Sequence, residues 1–383
     1  MPKKILVIGG GIGGATATLA LQKIGVQAEM FERAAELKEV GAGIALWVAP
    51  YRALERLGVG EKIRESSAPL KFAAMGFASG KVFQKLDLDK ILGSDFNENF
   101  IIHRADLHSA ILSGLDNNSI HTDHECERIE QNSDGVKVTF KNGKTAEGDL
   151  LIGADGFNSV VRKSLFGETA VRYSGQTCYR GVVDISALQP SILGEIQGTG
   201  QRFGIAPINE KRVYWFAAMN APQGEKDNPA SRREFLLEKY KGWAFGIPEM
   251  ISATTNNILR NDLVDRQPLK TWTKGRITLL GDAAHPMLPN LGQGACTAIE
   301  DGFVLARNIL QYGVNADALT SYEAERIGRT TRIVNQSRQF GVPLLWTNPL
   351  SVWLRNKMFQ CSPKSFSEKL FRENICFDVG NLE

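Results

Sequence analysis

At 383 residues, with 43% hydrophobic and 23% charged residues, the chain is long enough for two or three domains and has the composition of an ordinary globular protein. A formal net charge of +3 makes no electrostatic case for nucleic acid, and five cysteines without a CxxC pair indicate neither a disulfide framework nor a zinc site. No apolar run approaches the ~20 residues of a membrane-spanning helix, and the start MPKKILVIGGG turns to glycine where a signal peptide would continue, so a cytoplasmic protein is expected.

In chain order, Lys4 to Ile8 reads as a strand, the glycines after it open an apolar helix to about Ile24, and Val26 to Glu32 reads as a second strand. The stretch GVKVTFKNGKTAEGDLLIGADG predicts a hairpin turning at Asn142-Gly143 and running into a buried strand, Leu150 to Ala154. From Thr177 to about Asn220, short aromatic and β-branched runs (TCYRGVVDI, RFGIAPI, RVYWFAAM) predict a mixed or antiparallel sheet in a second domain. A charged helix, Ser231 to Tyr240, follows. The strand Arg276 to Leu280 and a helix from Gly292 to about Leu310, with the acidic but buried-looking run AIEDGFVLARNIL, then return to the α/β style. The tail after Pro343 sets Trp346, Trp353, Leu354, Phe359 and Phe371 among basic residues and predicts one or two amphipathic helices.

Gly9, Gly11 and Gly14 form GxGxxG between the first strand and its helix. In that place the first glycine permits the tight turn, the second lets a pyrophosphate approach the backbone, and the third lets helix and strand pack closely. Glu32 ends the next strand where a ribose hydroxyl needs an acceptor, and it would repel a 2′-phosphate, which disfavours NADP in this fold. This motif leaves NAD and FAD open.

Two later buried strands also end in acidic-glycine pairs, at Asp155-Gly156 and Gly281-Asp282. Ligands collect beyond the carboxyl ends of strands in an open parallel sheet, so both loops face the same ligand. FAD extends from its diphosphate through a ribityl chain to the isoalloxazine, and Asp282 suits a ribityl hydroxyl. In GDAAHPMLPNLGQG, Pro289 stiffens the approach and Gly292 and Gly294 admit a ring close to main chain, where the positive end of the following helix meets flavin N1 and C2=O. These two motifs favour FAD.

Together, GxGxxG with Glu32, DGxxSxxR at Asp155, Gly156, Ser159 and Arg162, and GDAAHPMLPNLGQG resemble the single-component, group A FAD-dependent aromatic hydroxylases over roughly residues 1 to 340. The resemblance implies an α/β fold: a Rossmann-like FAD-binding domain of glutathione reductase type, an inserted mixed β-sheet substrate domain and a C-terminal helical segment. The corresponding division is 1–170 and 269–340 for the FAD domain, 171–268 for the substrate domain and 341–383 for the tail. Contacts to FAD are implied at Gly13, Glu32, Arg33, Ala45, Arg104, Cys126 through its backbone, Asp282, and Gly292, Gln293, Gly294, Ala295 and Cys296; Asp155-Gly156 is associated with FAD and NAD(P)H. The implied reaction is reduction of FAD by NADH or NADPH as a transient donor, capture of O2 as a flavin C4a-hydroperoxide, and hydroxylation of a small aromatic or conjugated substrate. The alternatives are an epoxidase of an isoprenoid-like substrate and a non-oxygenating FAD protein.

The loop Pro289 to Gly294 is the expected oxygen site, and Arg202, Tyr214, Tyr179 and Arg180 are the expected substrate contacts, while His285 is weighed between proton relay and structural histidine. Finer similarity divides between zeaxanthin epoxidases, bacterial 2-alkyl-4-quinolone 3-hydroxylases and urate hydroxylases. The last share Arg202 and Tyr214 but carry an aspartate where this chain has Asn290, which points to another fused or substituted aromatic acceptor. A halogenase reading of GWAFGIP and a metal at His121 and His124 are set aside. For the tail, packing over the FAD domain is preferred to peripheral membrane contact.

Overall fold

The strand Lys4–Ile8 lies in the middle of a five-stranded parallel sheet, in the order Ile277–Leu279, Leu150–Gly153, Lys4–Ile8, Gln27–Phe31, Ile120–His121. Ile5, Leu6 and Val7 are fully buried, as residues of a parallel strand covered on both faces must be. The computed structural model describes residues 3–37, 42–93, 97–184, 193–255 and 258–382. Because the sheet is parallel, its strand ends at Gly9, Glu32, Ala154 and Leu280 reach one edge side by side. The helix Ile12–Lys23 covers one face and crosses the helix Gly294–Tyr312, with Gly13 against Leu280 and Ala298. The predicted hairpin turns at Gly143, in the left-handed region at φ +82°, between Val136–Phe140 and Thr145–Gly148.

A seven-stranded mixed sheet forms the second layer, in the order Leu259–Arg266, Val171–Asp184, Arg212–Asn220, Gln201–Pro207, Gly194–Gln197, Phe72–Phe77, Val82–Asp87. The expectation that this sheet is built from 171–268 is corrected: two strands come from before residue 88, one paired in parallel with Gly194–Gln197. That pairing spans more than a hundred residues, and local periodicity carries no trace of it. The run TCYRGVVDI is a strand to Asp184; Ile185 lies outside the described residues.

Alternation divides the sheet's faces. Val213, Trp215, Ala217 and Met219 pack with Phe203 and Ile205 under the helices Arg232–Lys239 and Ile247–Ala253, where Trp215 Nε1 donates to Thr254 Oγ1 at 2.9 Å. Tyr214, Phe216 and Ala218 face the loop that follows Leu280, and Leu288 of that loop packs on Cys178 and Ala218. Tyr179 falls on the helix side, its ring 5.9 Å from that of Phe235, so its expected substrate role is corrected by the parity of its strand. Past the long helix Ala316–Gly341, the tail forms the helices Pro349–Cys361 and Lys364–Ile375. The second of these meets the FAD-domain residue Trp47, whose edge Phe371 approaches at 5.1 Å, whereas the first lies against the mixed sheet rather than the FAD domain, Phe359 stacking on Phe83 at 6.0 Å.

Candidate active site

The phosphate cradle is built by steric necessity. Gly9 has φ +109°, and a Cβ on Gly14 would stand 1.9 Å from the Gly9 carbonyl oxygen. Only glycine lets the helix Ile12–Lys23 begin this close to the strand, and no side chain caps its N-terminus, which leaves its first N–H groups for an anion. Gly11 is the N-cap residue, in extended backbone. Gly14→Ala is therefore expected to yield protein with well below stoichiometric FAD; a variant with wild-type flavin absorbance would contradict this geometry.

Glu32 is oriented by two amides, accepting from Gly10 N at 2.7 Å and Ala34 N at 2.9 Å. Behind it, His108 Nε2 donates to the Gly10 carbonyl at 2.6 Å, a support that a lone histidine in HRADLHSAIL does not announce. Arg33 is exposed at the same strand end. Cys126, on the neighbouring antiparallel sheet, is buried, and burial pushes its thiol up to about 12.

The DGxxSxxR motif proves to be a self-bonded module. Asp155 accepts from Ser159 Oγ at 2.5 Å and from Val160 N at 2.7 Å, and Ser159 caps the helix Val160–Phe166. Burial raises the Asp155 carboxyl, with the Ser159 hydroxyl and the Val161 amide opposing. Arg162, pushed down to about 10 by burial and by Arg266, donates to the carbonyls of Phe157 at 2.6 Å and Ala283 at 3.2 Å. It thus clamps the second loop to the third.

Asp282 is exposed to solvent at the carboxyl edge of the parallel sheet and has no hydrogen-bond donor among the described residues. Burial raises its carboxyl, while the positive field of His285, Arg104 and Arg162 opposes that rise. Arg104, anchored by its own amide on Ala42 O at 2.8 Å, acts on Asp282 through its charge although it is far away in sequence. His285 is turned to the interior instead. It is 2% exposed, its Nε2 donates to Asp301 Oδ2 at 2.6 Å and its ring lies 5.2 Å from Trp272, so of the two places weighed for it these contacts favour the structural one over the catalytic relay.

That place is a buried ion network which sequence reading did not assemble. Asp301 accepts from Gly281 N at 3.2 Å and from Arg326 Nε at 2.7 Å; Arg326 Nη2 reaches Glu300 at 2.7 Å, and Arg329 Nε reaches Glu300 at 3.0 Å. Two acids next to each other in the apolar helix AIEDGFVLA were its signal, since a buried carboxylate needs a buried cation. The network holds the Gly281-Asp282 turn from below.

Beyond it, Pro289–Leu291 forms a 3-10 turn with Pro289 exposed, Gly292 takes φ +62°, and the helix Gly294–Tyr312 starts without a side-chain cap at Gln293. Gln293 and Cys296 are buried, Ala295 half so, and Cys296 Sγ donates to Ala45 O at 3.2 Å, tying the helix start to the strand Gly43–Leu46. Trp47 Nε1, buried and without a partner, lies 3.9 Å from where a Gly292 Cβ would be. An open helix N-terminus, a donorless carboxylate, an orphaned indole N–H and a glycine cradle at one sheet edge fit FAD, whose pyrophosphate would be held by Gly11 to Gly14, its ribityl chain by Asp282 and its ring by Gly292 to Ala295.

Over this loop stands the second sheet. Tyr214 packs on Gly43, and burial raises its phenol with the Arg180 guanidinium opposing. Arg202, 2% exposed, donates to Glu195 at 3.2 Å through Nη1 and to Asn290 Oδ1 through Nη2. Asn290 Nδ2 donates in turn to Ser337 O at 2.8 Å. An aspartate here would set a carboxylate oxygen against that carbonyl, so Asn290→Asp is expected to lower the melting temperature even with Arg202 adjacent; equal or higher stability would contradict this.

A glycine cradle and an uncapped helix start at one sheet edge, with a second sheet over the late loop, are the features of an FAD-binding oxidoreductase. The chain belongs to the FAD binding domain family, whose model matches residues 3–337. It is 36% identical to aurachin C monooxygenase/isomerase of Stigmatella aurantiaca, over 97% of this chain and 98% of that one. It is 30% identical to 2-heptyl-3-hydroxy-4(1H)-quinolone synthase of Pseudomonas aeruginosa, over 99% of each. The structure of Klebsiella pneumoniae HpxO complexed with FAD and uric acid superposes with a TM-score of 0.91 at 29% identity, covering 97% of this chain and 96% of that one. The protein is an FAD-dependent monooxygenase that uses NAD(P)H and O2 and hydroxylates an aromatic or heteroaromatic small molecule.

Proposed function

We propose that the acceptor is an uncharged fused heteroaromatic of 4-quinolone type bearing an apolar substituent. The observation that carries this reading is the state of Arg202. It is the cation expected to hold substrate, yet Glu195 neutralises it and Asn290 occupies its second Nη. An acidic acceptor such as urate would have to displace Glu195, whereas a neutral ring needs no such exchange. The roof around Tyr214 supports the same reading: Ala45, Trp47, Val182, Ala206 and Phe216 form one apolar cluster with it, continued by Phe371 of the tail. Two relatives carry a quinolone or an aurachin in their names.

Bound FAD supplies the electrons and the activated oxygen. This chain's part is to orient and to dry. The uncapped start of the helix Gly294–Tyr312 presents a positive field to the pyrimidine edge of the ring. Trp47, Tyr214 and Phe216 stack around the acceptor and exclude water. Arg202, fixed through Asn290, reports substrate-sheet position to the loop, and Pro289 limits that loop's freedom.

The test is NAD(P)H consumption by the FAD-loaded enzyme with 2-alkyl-4-quinolones, simple phenols and urate, with product masses. Stimulation by the quinolones with gain of one oxygen is expected, and weak response to urate. Urate turned over as well as or better than any quinolone overturns the reading.

A further inference from the structure

The helix Pro349–Cys361 carries apolar side chains on its outer face as well as on the inner one, where Phe359 stacks on Phe83. Arg355, Asn356 and Gln360 turn to the body of the protein, while Leu350, Trp353, Leu354 and Met358 are 73%, 57%, 48% and 55% exposed. Their positions i, i+3, i+4 and i+8 put them on one face. A helix resting on a protein in water normally keeps its outer face polar.

A second observation lies beside that face. Arg355 is 1% exposed, and its Nη2 donates to Gly198 O and Asn356 Oδ1, both at 2.9 Å, while its Nη1 has no partner. Burial lowers its pKa with no carboxylate opposing. It lines a recess of about 490 Å³ between the helix and the turn after Phe77, in which Lys81 and Lys357 stand with Arg355 and no acidic residue does. A buried guanidinium with no counter-ion is costly unless a ligand brings the anion.

We infer that this face docks on an anionic phospholipid bilayer, the four apolar side chains entering the headgroup boundary and a lipid phosphate settling against Lys81, Arg355 and Lys357. Apolar side chains flanked by cations are what such a surface recognises. A second copy of this chain suits the face poorly: an isologous contact would bring the same three cations against themselves. Attachment is peripheral, since no helix among the described residues is long and apolar enough to cross a membrane.

Flotation of the FAD-loaded enzyme with vesicles of phosphatidylcholine, alone or mixed with phosphatidylglycerol, tests this. Recovery with the mixed vesicles only is expected. Lys81→Glu/Lys357→Glu should cut it roughly tenfold or more, and Trp353→Ser/Leu354→Ser should do the same, both variants retaining FAD and melting temperature. Equal recovery with neutral vesicles, unchanged recovery in the charge-reversal variant, or a wild-type enzyme that stays in solution with both vesicles, whether as monomer or as a dimer, overturns the inference.

Discussion

Asp282→Ala is expected to leave purification without its flavin. The carboxylate stands exposed at the sheet edge with no donor among the described residues, in the field of Arg104 and Arg162, so a ribityl hydroxyl is the partner it would take. A hydrogen bond to a charged acceptor in such a place is worth about 1.5–3 kcal/mol, a fall of roughly 10- to 150-fold in FAD affinity. Removing the charge also leaves the two arginines less compensated. Asp282→Asn keeps an acceptor and loses the charge, and its affinity should fall between the two. The measurement is a fluorescence titration of apoprotein with FAD, and an alanine variant that keeps wild-type affinity sinks the ribityl assignment.

The second large effect is on stability. Asp301→Ala removes one of two acids from a network whose cations, Arg326 and Arg329, are buried with it. Breaking a buried pair from one side costs about 3–5 kcal/mol, because the charge left behind is unpaired. The same change frees His285 Nε2 and Gly281 N, so the flavin loop loses its floor. A large drop in denaturation midpoint is expected together with weakened FAD retention; loss of stability below about 1 kcal/mol contradicts the network's role.

The network also sets the acid limb of stability. Burial pushes the Asp301 carboxyl up, but His285 and Arg326 outweigh it and hold the group below its ordinary value. Unfolded, it titrates near ~3.9. Its contribution is therefore complete above that value and is lost as the pH falls through the lower folded value. The stability gap between wild type and Asp301→Asn should be widest near neutral pH and should close in acid. A gap independent of pH contradicts this.

Much of the FAD side was legible in sequence because glycines and acids there answer to backbone geometry. Gly9, Gly14 and Gly292 stand where a Cβ clashes or φ is positive, and each is marked by its neighbours in the chain. Sequence could not show what long-range pairing decides. Strands Phe72–Phe77 and Val82–Asp87 lack a strong alternation of their own and gain their place from Gly194–Gln197. Tyr179 and Tyr214 look equivalent in their strands, yet parity sends one to the helices and the other to the flavin loop. For His285, the acid that claims it is one helix away, at Asp301.

Transfer of one oxygen atom from O2 through FAD held on the late helix is the central step. Turnover of a 2-alkyl-4-quinolone under isotopically labelled dioxygen, in ordinary water, measures this directly. Product carrying one labelled atom, formed only with FAD and NAD(P)H present, is the predicted result; product oxygen drawn from water would contradict it.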